Sequence, residues 1–429
     1  MEVRALPDRT YKYRITQNEG LDYIIGFIIW PFGITIEAFR NWNKPWSKNI
    51  FWLFCIFFGF TFIIAEEGGA DSDRYARLFL QYANSDFNLK ELANSFYTAS
   101  DNNYVDIASP LITYIVSRIS SNPSLLFAVF GLVFGYFYSR NIWYLLEKIN
   151  GKITGIVLVY LLTFALLIPI WYINGFRMWT AAQIFLFGAL PYLLDGNTKR
   201  LFWAGFSILF HFSFMFTFGV LLLYILFRNR VNIYLVFFIA TAFIKEIDLL
   251  EVRSILFFLP DMFHRKIISY TNPQYAEIIS LAQMRLNWYI TLSENAVKWV
   301  VYALVISIYT FGRRMLKERK GLTSLFCYSI LLYGFANLFS LIPGGGRFIT
   351  VSSVFIFSFL VLFFTYYSKI KGLSLVSILS LPFLLLNCIV SLREGMDYFG
   401  FITILSNPII AAFNIQQSPL IVGLKKLLL

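Results

Sequence analysis

Arg177, His211 and Arg347 are cation-capable side chains at or inside strongly apolar stretches of the sequence. An ionisable group at such a position is costly, and it marks a functional site by default. Arg177 follows Asn174-Gly175-Phe176, and Arg347 follows Gly344-Gly345-Gly346. A guanidinium grips phosphate through a planar two-pronged fork, and successive glycines let backbone N–H groups approach an anion closely. His211 stands at the centre of Phe210-His211-Phe212-Ser213. With an unperturbed pKa of about 6.5, it can hold an anion or take a proton. Together the three suit an anionic lipid head group, above all a diphosphate. Simpler readings stand beside this one: a snorkelling arginine, a bare interspan turn and a hydrogen-bonded core histidine.

A second group opens the polar stretch 66–107: Glu66-Glu67-Gly68-Gly69-Ala70-Asp71-Ser72-Asp73-Arg74-Tyr75. Asp71 and Asp73 have the spacing of a divalent-metal site for a nucleotide sugar, or they are solvated helix caps. Nucleotide sugars are cytosolic and this stretch is expected outside, so no metal and no cofactor is expected. Cys55, Cys327 and Cys388 lie in apolar segments with no metal-ligand spacing and no disulfide pattern.

The elements that position these residues follow from composition. Of 429 residues, 58% are apolar, 20% aromatic and only 14% charged. A soluble domain is about half apolar and a quarter charged. Soluble enzymes, disordered chains and secreted disulfide scaffolds are excluded, and an all-α polytopic integral membrane protein is expected. The net charge of +12 reads as orientation charge on cytoplasmic loops, not as a nucleic-acid surface.

Apolar runs occur near 22–39, 50–65, 124–146, 153–173, 177–194, 201–227, 231–247, 296–312, 322–342, 348–367, 373–391 and 399–415. With half-helices counted, they make about 12–14 membrane elements in one polytopic domain, 1–429. The basic groups at 40–48, 140–152, 199–200, 228–230, 313–320 and 369–371 are expected inside. Parity then places 66–107 and 248–295 outside as extracytoplasmic loops. The run 201–227 breaks the count, because both its ends are basic. The repair is a re-entrant hairpin of two half-helices meeting near mid-membrane at Phe210–Ser213, a depth at which irregular backbone must line a cavity or be buried. The same parity puts residues 1–21 outside, unless Pro31 makes 22–39 re-entrant and returns them inside.

At these residues the sequence resembles the EpsG family of Wzy-type polysaccharide polymerases, over roughly 22–370. The resemblance is carried by Gly69-Ala70-Asp71-Ser72-Asp73-Arg74-Tyr75, by Asn174-Gly175-Phe176-Arg177 with Ala181-Ala182, and by Phe210-His211-Phe212-Ser213. Tyr270 after Arg265-Lys266, and then Arg347-Phe348, complete it. Glu66-Glu67 stand where the family often has an arginine.

The resemblance implies a membrane glycosyltransferase of GT-C-like architecture in the bacterial inner membrane, with its active site toward the periplasm. The substrate it implies is an undecaprenyl-diphosphate-linked oligosaccharide repeat unit, used as donor and acceptor, with membrane lipid around the enzyme and a chain-length regulator protein as partner. On it, Arg177, His211 and Arg347 are catalytic, and Asp71, Asp73, Arg74, Tyr75, Asn174 and Tyr270 bind substrate. A polysaccharide ligase of the same fold and a lipid-linked oligosaccharide flippase are the alternatives. A flippase is expected to show two similar halves, which the sequence lacks.

Overall fold

A chain this apolar must satisfy its backbone groups internally, and helices do so within one segment. The computed structural model describes residues 17–64, 71–96, 104–149, 151–284, 286–367, 370–413 and 417–428. Among these residues there are helices and no strands.

The first helices are α1 (Gln17–Ile29), α2 (Pro31–Arg40), α3 (Ser47–Phe60), α4 (Asp71–Ala83), α5 (Leu89–Ser95) and α6 (Ala108–Ser117). Then come α7 (Pro123–Lys148), α8 (Gly155–Leu167), α9 (Phe176–Asp195), α10 (Leu201–Phe206), α11 (Phe214–Phe227) and α12 (Val231–Ala242). Three short helices, α13 (Leu249–Leu256), α14 (Asp261–Tyr270) and α15 (Pro273–Met284), precede α16 (Trp288–Phe311) and α17 (Arg313–Glu318). The chain continues through α18 (Lys320–Phe339), α19 (Arg347–Tyr366) and α20 (Lys371–Gly395). It closes with α21 (Phe401–Leu405), α22 (Pro408–Phe413) and α23 (Leu420–Leu428).

Among the described residues, six helical runs are long and apolar enough to cross a membrane: α7, Gly155–Asp195, α16, α18, α19 and α20. Gly155–Asp195 is α8 and α9 joined by a 3-10 turn at Ile170–Gly175. Shorter apolar helices, α3, α6, α11 and α12, accompany them. The protein is an all-α polytopic membrane protein.

Contacts give the helix directions. α3 and α7 are antiparallel: Lys48 pairs with Glu147 at 3.3 Å, and Phe62, just past α3, stacks on Phe127 at 5.0 Å. α7 and α9 are parallel, because Phe130 stacks on Phe176 (3.8 Å), Asn141 donates to Gln183 (2.8 Å) and Lys148 pairs with Asp195 (2.7 Å). α18 and α19 are antiparallel, with Phe326 on Phe359 and Phe339 on Phe348. Tyr366 donates to the Lys148 carbonyl (3.2 Å), and Gly321 abuts Leu194. Lys48, Lys148 and Lys320 therefore collect at one end, the basic end.

The run 201–227 folds back on itself. The Arg200 guanidinium lies over Phe187, 4.4 Å from the ring centre, and the chain climbs along α9 until Phe210 meets Phe176 at 6.1 Å. The two helices press together at Gly188, where a Cβ would stand 2.4 Å from the Ala204 nitrogen. α11 then descends: Phe216 packs on Phe348 (5.3 Å), Tyr224 on Tyr328 (5.8 Å), and Asn229 reaches Ser324 (3.4 Å). Both ends thus lie toward the basic end, Asn229 beside Ser324 and Arg200 deeper, beside Phe187. The apex lies level with the first residue of α9 rather than halfway along it, because α10 begins beside Phe187, already well inside the bundle.

The run 22–39 is also a hairpin, not one span. Pro31 lacks the N–H that would continue α1, and it fits the first turn of α2. α1 turns back so that Tyr23 stacks on Trp46 at 3.5 Å. The run 399–415 is not a span either. Asn407 caps α22 through the Ile410 N–H (2.9 Å), Pro408 begins it, and α21 stays beside α3 through a Thr61–Thr403 hydrogen bond (2.9 Å).

Candidate functional site

At the end remote from the basic loops, α4, α6, α9, the 201–227 hairpin and α14 enclose a cavity of about 530 Å³. α4 reaches it as an amphipathic helix whose buried face, Ser72, Tyr75, Ala76, Phe79 and Tyr82, repeats at helical spacing. Asp71 and Asp73 occupy its first turn, where the helix dipole favours negative charge. Asn174 anchors it, accepting the Ser72 N–H at 3.1 Å and donating to the Tyr398 hydroxyl at 3.2 Å.

The centre of the site is Asp106, which is 5% exposed. Its Oδ2 accepts from Arg177 Nη1 at 3.0 Å, and its Oδ1 accepts the Phe212 backbone N–H at 2.8 Å. Burying a carboxylate is unfavourable unless it is paired and hydrogen-bonded, and here both oxygens are answered. The hairpin break leaves backbone donors at the start of α11 without helical partners, and Asp106 takes one of them. The adjacent Ile107 N–H donates to the Leu209 carbonyl at 3.1 Å, so the strip before α6 is tied to the hairpin twice. Arg177 Nε donates to the Tyr75 hydroxyl at 3.3 Å. Burial pushes the Tyr75 phenol above its ordinary pKa, so it remains protonated.

His211 is buried and lines the same cavity. Its Nδ1 lies 2.6 Å from Ser213 Oγ and 3.4 Å from the Ser213 backbone nitrogen. A backbone N–H only donates, so Nδ1 is the accepting nitrogen and Nε2 of the neutral ring bears the proton. Nε2 is then the ring's hydrogen-bond donor. The charged groups acting on His211 are Asp106, Arg177, Arg347 and Lys266. Lys266, on α14, lines the cavity, and burial followed by the nearby Arg177 lowers its ammonium pKa below the ordinary lysine value.

The structure thus brings Arg74, Tyr75, Arg177, His211 and Tyr270 to one cavity. Arg347, expected in the same site, is the exposed first residue of α19 and is not on the wall, although its charge acts on His211. The glycines before it serve a tight turn: Gly344 has φ 78°, and a Cβ on Gly345 would stand 1.8 Å from the Phe339 carbonyl. Tyr270 packs 3.3 Å from where a Gly344 Cβ would be, linking that turn to the cavity.

Asp71, Asp73 and Asn174 are not on the wall. Asp71 pairs with Arg74, Asp73 pairs with Arg77 at 2.8 Å, and Asn174 holds α4 in place. Glu66, Glu67, Gly68, Gly69 and Ala70 lie outside the described residues. Asp106 and Lys266 were not among the residues expected to do chemistry. The available signal was a lone carboxylate between Val105 and Ile107, at the mouth of an apolar helix. Among the described residues no group of three or more His, Cys, Asp or Glu converges as a metal site.

The family model described as EpsG family matches residues 50–404. That range starts later and ends later than the stretch over which the sequence resembles the family, leaving out the N-terminal hairpin and taking in α20. No curated protein and no solved structure matches the chain.

Proposed function

Because the chain belongs to the EpsG family, we propose that it is a Wzy-like polymerase of polysaccharide biosynthesis and that the cavity around Asp106 is its active site. The donor is a glycan on a lipid diphosphate, undecaprenyl diphosphate in a bacterial inner membrane. The acceptor is the next lipid-linked repeat unit. The bond from the anomeric carbon to the diphosphate oxygen breaks, and the leaving diphosphate keeps the electron pair. A new glycosidic bond forms to a hydroxyl at the acceptor's non-reducing end, and the proton of that hydroxyl passes to the departing diphosphate.

The enzyme must offset charge developing on the leaving diphosphate, for which preorganised donors in a screened site are suited. Arg177, Lys266 and Arg347 supply positive charge, and His211 donates through Nε2 rather than acting on the acceptor hydroxyl. Holding both reactants in line removes part of the barrier as well. Arg74 and Tyr270 are placed to meet sugar hydroxyls.

The observation that carries this reading is the convergence of Arg177, His211 and Lys266 on one cavity around the buried Asp106. The cavity lies opposite the basic end, which the charge rule places in the cytoplasm, so the site faces the periplasm. A chain-length regulator would meet this same face. Purified protein reconstituted with labelled lipid-linked repeat units tests the proposal. A ladder of lipid-linked oligomers is expected. Transfer of glycan only to a different lipid or a protein would make it a ligase, and translocation without bond formation a flippase.

A further inference from the structure

A second cavity, of about 140 Å³, opens at the basic end between α3, α7, α9 and α10. Two guanidiniums line it, those of Arg140 and Arg200. Arg140 stands inside its helix, whereas Arg200 is the cap residue just before α10. Arg140 lies eight residues before the last residue of α7, about 12 Å along the axis. Arg200 lies beside Phe187, itself eight residues inside the end of α9. Charges lying that far along α7 and α9 need partners, yet no acid is within ion-pairing distance of either among the described residues. Glu147, the one acid on the wall, pairs with Lys48.

The two arginines are held in place without being neutralised. Arg140 lies over the faces of Trp52 and Tyr136, at 4.8 and 4.4 Å, and donates to Asn49 (2.7 Å) and Ser139 (2.8 Å). Arg200 rests on Phe187, whose ring is 6.4 Å from Tyr136. An aromatic track therefore joins two unneutralised forks. Next to the two forks, Leu132, whose carbonyl accepts the Trp52 indole N–H, is 39% exposed, and Phe202, two residues past Arg200, is 66% exposed, as a surface facing acyl chains would be.

We propose that this cavity binds the phosphate of an anionic phospholipid head group, with its acyl chains along Leu132 and Phe202. The planar forks match a phosphate diester, and basic clefts between membrane helices on the cytoplasmic side are suited to such head groups. A free anion would meet the same forks but would gain nothing from the exposed apolar flanks.

Native mass spectrometry of the purified full-length protein, titrated with phosphatidylglycerol, phosphatidylcholine or inorganic phosphate, tests the site. Phosphatidylglycerol should be retained at least tenfold better than phosphatidylcholine and should not be displaced by millimolar phosphate. Arg140→Gln/Arg200→Gln should lose that preference. Lys199→Gln/Arg230→Gln, which removes the same charge from exposed positions at the same end, should keep it. Arg200→Gln alone, at a side chain without a hydrogen bond among the described residues, should weaken retention severalfold and guards against misfolding of the double variant. Equal retention of the two lipids, displacement by phosphate, or the same loss in both double variants would overturn the proposal.

Discussion

Asp106 is buried with one oxygen committed to Arg177 and the other to the backbone of Phe212, so it sets the position of two proposed catalytic groups at once. Asp106→Ala should cost about 1–3 kcal/mol for each donor left unpartnered and should lower the yield of folded protein. Asp106→Asn keeps an acceptor but not the charge. It should fold better than the alanine variant and still lose activity per folded molecule, measured as polymer formed per unit of monodisperse protein. Arg177→Lys should fall on the order of tenfold or more, the worth of one hydrogen bond to a charged group, because an ammonium cannot make the fork that reaches both Asp106 and Tyr75.

Lys266 adds a pH dependence. Its pKa is lowered by burial and by Arg177, so its positive charge is lost at a lower pH than that of a free lysine. Activity should decline on the alkaline side as pH rises through that lowered value. Lys266→Arg, which stays charged, should move the decline to higher pH, and an unchanged rate profile would exclude the role. Arg177 and His211 were readable in the sequence, because polar groups inside apolar runs are conspicuous. Asp106 was not, since its partner Arg177 lies 71 residues away and meets it only through the packing of α9 against the strip before α6.

At the scale of elements, the charges flanking 201–227 required a return to the same side, and α10 and α11 make that return. Its depth was not readable, because it depends on where α10 leans on α9. Gly188→Leu should therefore separate the two helices: any Cβ there meets the Ala204 backbone, and overpacking of this kind costs about 1–3 kcal/mol. A lowered melting temperature with loss of activity is the expected result. Single cysteines at Asn197 and Asn229 should both label from the cytoplasmic side. Labelling of position 229 from outside alone would contradict the hairpin. Pro31 pointed to a re-entrant N-terminal run, whereas the break at Asn407–Pro408 was hidden by the uniform apolarity of 399–415.

Over the whole molecule, the basic residues gather at one end and the cavity with Arg177, His211 and Lys266 lies at the other. Composition alone carried the membrane class, because a chain 58% apolar with 14% charged residues has no soluble alternative. It could not show that two hairpins, 17–40 and 201–227, enter and return, since a hairpin and a span have the same composition. The central claim is that the far-end cavity joins lipid-linked units. The most direct test is the lipid-linked glycan pool and polymer length in cells whose only copy carries His211→Ala, with the inserted protein measured alongside. The account predicts normal protein levels, no long polymer, and accumulation of single lipid-linked repeat units, because the steps that make and flip them are untouched. Polymer of normal length from a well-expressed His211→Ala protein would contradict it.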